Sequence, residues 1–365
     1  MKKFGLTLMV LLASTCLWAQ EEAAAEEESK LQISGSVDTY YKYDFAGQSG
    51  NIPTSFAGDH NSLSIGMLDL VLEKSTGKAS FLAELAFGPR NFNSAGPASG
   101  STSTFFSPSE KDSSGMETSD AFFSDFAPRL QNLYVSYAFT DQLSLTAGYM
   151  GTFVGYEIIS PTGNFNYSTS YLFTNGPFQN AGVKLDYAFS DRFAVMVGAF
   201  NPWNVYTADP SIGPTSLGAQ IYVSPVDGWD VYINGVTGGE SGTEIDLTTT
   251  FQVSDKLMLG LNAASYTDGA DSAGTFMGAA AYVNYALTDG AALGFRYEYF
   301  NSNIVFDEDA SVNAFTLSAN LGNGAITFIP EVRYDVSSAN IFLDSEGNAT
   351  SNSAIQALVA AVYAF

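Results

Sequence analysis

Few side chains in this sequence can carry out enzymatic chemistry. The 365 residues contain one histidine, His60, directly after Asp59, and one cysteine, Cys16. Enzymes that use general acid–base or nucleophilic catalysis combine a histidine with a serine or a carboxylate in one site. A single Asp-His pair in a polar stretch is more typical of a solvated turn. We therefore predict no catalytic residue and no enzyme activity.

Acidic residues are the other chemically active group in the chain. They outnumber basic residues by 38 to 14, which gives a net charge of −24 and leaves no basic stripe that could bind nucleic acid. Three short acidic groups, at 268–271, 307–309 and 344–346, could hold Ca²⁺ or bridge lipopolysaccharide through divalent ions, but none has EF-hand spacing. We interpret them as surface charge and predict no metal site and no cofactor.

Further charges recur at every second position of segments that are otherwise apolar. In 31–45, Val37 and Tyr41 alternate with Asp38 and Lys42. This period of two is typical of a β-strand with one apolar and one polar face. The polar faces of such segments carry Asp38, Lys42, Asp44, Glu84, Lys184, Asp186, Asp230, Glu244, Asp246, Arg296, Glu298, Glu331, Arg333 and Asp335. In a water-filled lumen, ten acids against four bases would favour cations; alternatively, these charges solvate the interior and pair with one another.

Short turns and long loops alternate between these segments. Four near-repeats, at 137–141, 187–191, 251–255 and 285–289, end in Ser/Thr-Asp turns, and longer Gly-, Ser- and Asn-rich connections lie between such turns. The pattern predicts about 16 strands: 31–45, 62–74, 78–88, 129–139, 143–150, 180–189, 193–200, 215–224, 229–236, 244–253, 256–265, 275–287, 291–300, 311–321, 325–336 and 354–365. Residues 63–67 and 68–72 have opposite phases, which predicts a β-bulge.

The strand pattern favours a membrane barrel over a soluble sandwich. After residue 20, no apolar run reaches the roughly 18 residues of a spanning helix. A sandwich would also alternate, but it does not require short and long connections to follow each other in turn. The sequence therefore predicts an all-β protein, a transmembrane antiparallel up-and-down β-barrel with short periplasmic turns and long extracellular loops. Aromatic residues near the strand ends predict girdles that contact outer-membrane lipid and lipopolysaccharide.

Both ends of the chain carry signals for export and assembly. Residues 1–19 combine a basic start, an apolar core and a small residue at the end, and they predict a signal peptide. Residues 20–30 predict an acidic flexible segment, and 31–365 the barrel. Cys16 falls inside the signal, and the residues before it do not match a lipoprotein motif. The last strand ends in Tyr363 and Phe365, which is typical of the signal that the barrel assembly machinery recognises.

The connection 151–178 is unusually rich in aromatic residues for a loop that extends into water. We hypothesise that it folds into the barrel and forms a constriction. Its rings would pack against the wall or, alternatively, stack on sugar rings, and its polar side chains would line the opening. The residues of this predicted constriction are Phe153, Tyr156, Glu157, Asn164, Asn166, Tyr167, Ser168 and Tyr171.

Several segments resemble one known family. Ile33-Ser-Gly-Ser-Val-Asp-Thr-Tyr-Tyr-Lys-Tyr43, Leu70-Val-Leu-Glu-Lys74 and, above all, 143–157 with 164–171 are similar to the putative β-barrel porin family called OmpL-like or porin-2. The likeness covers essentially the whole mature chain and is strongest from 31 to 205. Family members often have a histidine near the stretch that reads Gly176-Pro-Phe-Gln-Asn180 here. The resemblance implies a pore in the bacterial outer membrane, and it carries over no functional residues.

The expected function is therefore that of an outer-membrane porin. It would be a passive diffusion channel for small hydrophilic solutes with a modest cation preference. The alternative is a non-conducting barrel that acts as an adhesin or surface structural protein through its long loops. In trimeric porins the loop after the third strand latches a neighbour, so the connection 89–128 makes a homotrimer one expected assembly.

Overall fold

The structure, a computed structural model, describes residues 30–90, 129–239, 241–269, 274–306, 309–322 and 324–365. The predicted signal peptide, nearly all of the acidic segment and most of the connection 89–128 lie outside these ranges. Within them no helix is long and apolar enough to cross a bilayer.

Sixteen antiparallel strands form one closed barrel in which each strand pairs with its neighbours in sequence, and the first strand pairs with the last. The strands are β1 (Gln32–Asp44), β2 (Ser62–Thr76), β3 (Ala79–Phe87), β4 (Arg129–Ala138), β5 (Leu143–Gly151), β6 (Gln179–Ser190), β7 (Phe193–Phe200), β8 (Ser216–Val223), β9 (Trp229–Gly238), β10 (Gly242–Gln252), β11 (Leu257–Thr267), β12 (Thr275–Thr288), β13 (Ala291–Ser302), β14 (Ala310–Gly322), β15 (Ile326–Ser337) and β18 (Ser353–Ala364). β16 (Phe342–Leu343) and β17 (Ala349–Ser351) form a separate hairpin between β15 and β18.

The predicted architecture is confirmed. Every predicted strand end lies within two residues of the observed one. The agreement follows from the alternation itself, because a closed barrel exposes one face of each strand to lipid and buries the other. Apolar side chains such as Val37, Leu185 and Val332 are exposed on the outside, while the intervening charged and small residues face inward.

The barrel closes through β1 and β18. Asp38 lies opposite Val362, and the backbone of Gly35 exchanges hydrogen bonds of 3.0 Å in both directions with Phe365. Tyr363 and Phe365 are exposed on the outer surface, with ring centroids 6.3 Å apart. The last residue therefore completes the seam of the barrel.

The predicted bulge in β2 is confirmed. Val37 pairs with Leu68 and Thr39 pairs with Ile65, so the two residues Gly66 and Met67 oppose the single residue Asp38. The Met67 N–H donates to the Asp38 carboxylate at 2.9 Å. The extra residue changes the phase of β2 and turns Asp69 inward, where it is buried.

We expect Gly66→Ala to destabilise the barrel. A Cβ on Gly66 would lie 1.7 Å from Oδ2 of Asp38, and the Asp38 carboxylate is held by Met67 and Tyr167. Overpacking of this kind costs about 1–3 kcal/mol, which should appear as a lower urea midpoint for unfolding from lipid vesicles. Gly239→Ala is the matched control, because a Cβ there meets no atom of the described residues within 4 Å. Equal midpoints for the two variants would contradict the prediction.

Candidate functional site

The connection between β5 and β6 lies inside the barrel. Its residues contact the inward faces of strands on different sides: Gln220 of β8 donates to the Phe153 carbonyl at 3.1 Å, the Gly155 N–H donates to Asp246 of β10 at 3.2 Å, and the Tyr167 hydroxyl donates to Asp38 of β1. A single segment can reach all these strands only by crossing the lumen. It contains a 3₁₀ turn (Pro161–Gly163) and a short helix, α1 (Tyr171–Asn175).

Three arginines bind consecutive carbonyl groups of this loop. Arg90, Arg296 and Arg333 donate to the carbonyl oxygens of residues 167, 168 and 169, at 2.8, 2.7 and 2.8 Å. All three guanidinium side chains are fully buried. Charge-assisted hydrogen bonds in a buried setting are stronger than neutral ones, so this stretch of irregular backbone is firmly held.

Three glutamates bind the N–H groups of the same stretch. Glu331 accepts from residues 167 and 168 at 2.8 and 3.2 Å, Glu157 from residue 170 at 2.7 Å, and Glu298 from residues 171 and 172 at 2.9 and 2.8 Å. We call residues 167–172 the anchored segment. Its backbone is not in a strand, and side chains of the wall and loop satisfy the polar groups that water would otherwise solvate.

The aromatic residues of the loop pack on the wall. The Tyr156 ring stacks on Tyr282 at 4.2 Å, and the Tyr171 ring stacks on Phe300 at 5.4 Å. The Tyr171 hydroxyl donates to Asp335 at 2.9 Å. Each of these rings is in contact with protein and is not free to stack on a solute.

The polar residues of the predicted constriction are also engaged. Glu157 forms an ion pair with Arg296, and Asn166 donates to Ser318 at 2.7 Å. Asn164 instead bonds the loop's own backbone, both accepting from and donating to Ile158. Glu157, Asn166 and Ser168 are buried, so they are placed against the wall.

Burial of the inward-facing side chains differs around the barrel. On β10, β13–β15, β18 and β1 they are almost all buried, and we call this part the covered wall. On β4–β8, with Asp230 of β9, most are only partly buried, and we call this part the accessible wall. The short turns join the strands at one end of the barrel. At that end of the accessible wall, a cavity is lined by residues that include Asp141, Ser144, Asp186 and Tyr222. The loop therefore fills one side of the lumen more than the other.

At the end of the barrel that carries the long loops, an apolar cluster closes the covered wall. Trp203, Phe306 and Phe342, from three different connections, pack with Tyr171 and Leu172 of the anchored segment. Trp203 stacks on Tyr266 at 5.4 Å.

The fourteen charges predicted for the polar faces all occupy inward positions, but their surroundings differ. Six contact the anchored segment or pair with groups that do: Asp38, Arg296, Glu298, Glu331, Arg333 and Asp335. Five others are also buried: Lys42, Asp44, Glu84, Glu244 and Asp246. Lys184, Asp186 and Asp230 are the three that lie on the accessible wall.

The three accessible charges have few partners. Lys184 pairs with Asp186 at 3.1 Å, with side chains 20% and 15% exposed. Asp230 accepts from the Tyr222 hydroxyl at 2.7 Å. Among the predicted charges, these are the ones that a solute in the lumen can approach.

Sequence reasoning missed Arg90 and Asp69. Arg90 lies just after β3, in a connection with no periodicity, so no pattern in the sequence indicates its inward position. It contacts Asp38 at 3.8 Å and lies over the Tyr167 ring at 4.3 Å. The inward position of Asp69 could have been predicted from the sequence, because Asp69 falls on the inward face of β2 once the bulge is taken into account.

Two other predicted groups have local structural roles. His60 accepts a hydrogen bond from the Asp44 N–H at 3.0 Å and packs on Tyr43. Asp344 accepts from the N–H groups of Glu346 and Asn348, and a hydrogen bond from the Thr350 hydroxyl lowers the pKa of Asp344. Both residues therefore organise their own loops.

Comparison with known proteins supports this picture. The family model for "Putative beta-barrel porin-2, OmpL-like" matches residues 30–365. No curated protein matches the sequence. Solved structures of the same fold include an anion-selective porin from Comamonas acidovorans (11% identity, TM-score 0.59, covering 93% of this chain and 100% of the other). Others are OmpF of Salmonella typhi, in complex with daunomycin (10%, 0.58, 93% and 98%), and the trimer form of OmpT of Vibrio cholerae (10%, 0.55, 92% and 99%).

Proposed function

The chain belongs to the putative β-barrel porin-2, OmpL-like family, and on that premise we propose that it is a passive diffusion channel for small hydrophilic solutes with a modest preference for cations. Membership makes it a porin-type β-barrel, integral to the outer membrane. The neighbours share its fold at 10–11% identity, so their selectivity and ligands are not carried over.

One observation supports the channel most directly. Residues 167–172 of the loop between β5 and β6 are fixed to the covered wall, while most of the inward side chains of β4–β8 stay partly exposed. A loop held on one side narrows a barrel without filling it. We propose that solutes pass along the accessible wall, between its polar side chains and the loop.

The cation preference follows from the charges on that path. Asp186, Asp230 and Lys184 lie on the accessible wall, and Glu73, inward and exposed near the short-turn end of β2, adds a third acid. Among the side chains that the structure describes, the accessible balance on the strands is therefore three acids against one base. A weakly negative wall attracts cations and repels anions, and salt screens the effect.

Liposome swelling tests the channel itself. Vesicles containing the refolded protein should swell in isotonic solutions of small sugars, and the rate should fall as the sugar becomes larger. Correctly folded barrels that give no swelling would contradict the channel and support the alternative of a non-conducting adhesin or surface structural protein.

Replacing accessible acids should lower the cation preference. We expect Asp186→Asn with Asp230→Asn to move the reversal potential in a salt gradient toward zero, because only Glu73 then remains to offset Lys184 on the path. The single variant Glu84→Gln, in which a buried acid hydrogen-bonded to Gln131 is neutralised, should leave the potential unchanged. A larger shift from the buried position than from the accessible pair would overturn the assignment of the path.

The remaining expectations about partners complete the proposal. We propose export by the signal peptide 1–19, recognition of Tyr363 and Phe365 by the barrel assembly machinery, and contact of the outer face with lipid and lipopolysaccharide. A homotrimer is supported by the trimer form of one structural neighbour. Cross-linking of the protein in native membranes tests the trimer.

A further inference from the structure

A small cavity lies between the loop and the covered wall on the β10–β11 side. Glu244 and Asp246, at successive inward positions of β10, line it together with Asn262 of β11. The loop contributes Gly155 and Gly176. Both arms of the loop therefore meet the wall at this cavity.

Glu244 is a buried carboxylate with an unused oxygen. The residue is 2% exposed, and its Oε2 has no hydrogen-bond partner in the part of the chain that the structure describes. A Cβ placed on Gly176 would lie 3.5 and 3.8 Å from the two carboxylate oxygens, so the group faces the narrow space under the loop. An ionised carboxylate without a partner in such a place is strongly destabilising.

Asp246, beside it, adds a second negative charge. It accepts hydrogen bonds from Asn234 at 2.6 Å, from Asn262 and from the Gly155 N–H. These donors are neutral. Among the described residues neither Glu244 nor Asp246 forms an ion pair, whereas the buried acids Glu157 and Asp335 pair with arginines. The cavity thus holds two carboxylates and no counter-charge from those residues.

We propose that this cavity binds one hard divalent cation, of the Ca²⁺ or Mg²⁺ class. Carboxylate and amide oxygens are the ligands such ions prefer, and sites with two carboxylates complete their coordination with water. Glu244 and Asp246 supply a charge of −2 that matches the ion, and Asn262 contributes a neutral polar group. The ion joins β10 to both arms of the loop and holds them together. This inference does not depend on the proposed channel function.

Terbium luminescence provides a direct test. Tb³⁺ replaces Ca²⁺ at oxygen sites and emits when a nearby aromatic ring transfers energy to it. Tyr266 lies directly opposite Glu244 in the β10–β11 ladder, and Trp203 stacks on Tyr266. The refolded full chain should show saturable emission for one ion, excited through these rings and displaced by Ca²⁺ but not by the same concentration of Na⁺.

Matched variants locate the site. Glu244→Gln keeps the shape of the side chain and removes one charge, and we expect it to weaken Ca²⁺ binding by about tenfold or more. Asp230→Asn removes the same charge from another inward position and should bind Ca²⁺ like the unmodified protein. Electrophoretic heat modifiability shows that each variant is folded.

Three results would overturn the proposal. The first is no saturable emission from the unmodified protein, in which case Glu244 is kept neutral by a proton. The second is equal Ca²⁺ affinity in Glu244→Gln, which would place the ion elsewhere. The third is displacement by Na⁺ as effective as displacement by Ca²⁺, which would exclude a divalent site. Liposome swelling is measured separately, so loss of the cation site and loss of the channel are distinguishable.

Discussion

Deleting residues 158–175 should raise the single-channel conductance by about twofold or more, because the deletion removes the part of the loop that fills the covered side of the lumen. The anchored segment and α1 would be lost, and the inward faces of β13–β15 and β1 would be open to ions. Gly155 and Gly176 line the same small cavity, so a short glycine linker can rejoin the ends. Planar-bilayer recordings measure the effect.

The same deletion should also strengthen the cation preference. It uncovers four acids of the wall, Asp38, Glu298, Glu331 and Asp335, together with three arginines, Arg90, Arg296 and Arg333, so acids are in excess on the opened side. Replacing 158–175 by a Gly-Ser segment of equal length is the matched control, since it keeps the chain length but lacks the rings and the anchored backbone. That control should conduct more than the unmodified protein. An unchanged conductance for the deletion would contradict the placement of the loop inside the barrel.

The strands were predictable because the bilayer imposes a rule on every one of them. Residues that face lipid must be apolar and those that face the interior are mostly polar or small, so the phase of Val37 and Asp38 in β1 is visible in the sequence. The bulge in β2 was predictable for the same reason. An extra residue is the only way to keep both Ile65 and Leu68 facing lipid.

What the charges do was harder to predict. The alternation in β15 places Glu331, Arg333 and Asp335 on the inside of the barrel. A strand that faces water and a strand that faces a folded loop, however, have the same alternation of polar and apolar residues in the sequence. The difference depends on contacts between residues more than 120 positions apart, such as Glu331 with residue 167. Arg90 shows the same limit, since a residue in an irregular connection has no period to indicate where it points.

Charge on the inner surface therefore has two uses in this barrel. On the covered wall, acids and arginines take the place of water around the loop backbone. On the accessible wall, Lys184, Asp186 and Asp230 remain in reach of ions. We therefore expect selectivity to follow the accessible charges and not the total excess of acids over bases in the sequence.

Arg333→Leu should loosen the anchored segment and cost about 3–5 kcal/mol in the free energy of unfolding, the range found when one partner of a buried ion pair is removed. Arg333 binds both oxygens of Asp335, at 2.8 and 2.9 Å, and donates to the Thr169 carbonyl and the Thr54 hydroxyl. The substitution leaves the Asp335 carboxylate buried without its counter-charge. Urea unfolding from lipid vesicles, followed by tryptophan fluorescence, measures the loss.

Two comparisons separate burial from charge as the cause. Arg192→Leu breaks an exposed pair with Asp227, whose side chains are 57% and 94% exposed, and it should change stability little because water screens that pair. The double variant Arg333→Leu with Asp335→Asn should recover part of the loss, since the stranded charge is removed along with its partner. If Arg333→Leu were no more costly than Arg192→Leu, Arg333 would not hold the loop, and the other contacts of the anchored segment, including those of Arg90 and Arg296, would be enough to keep it buried.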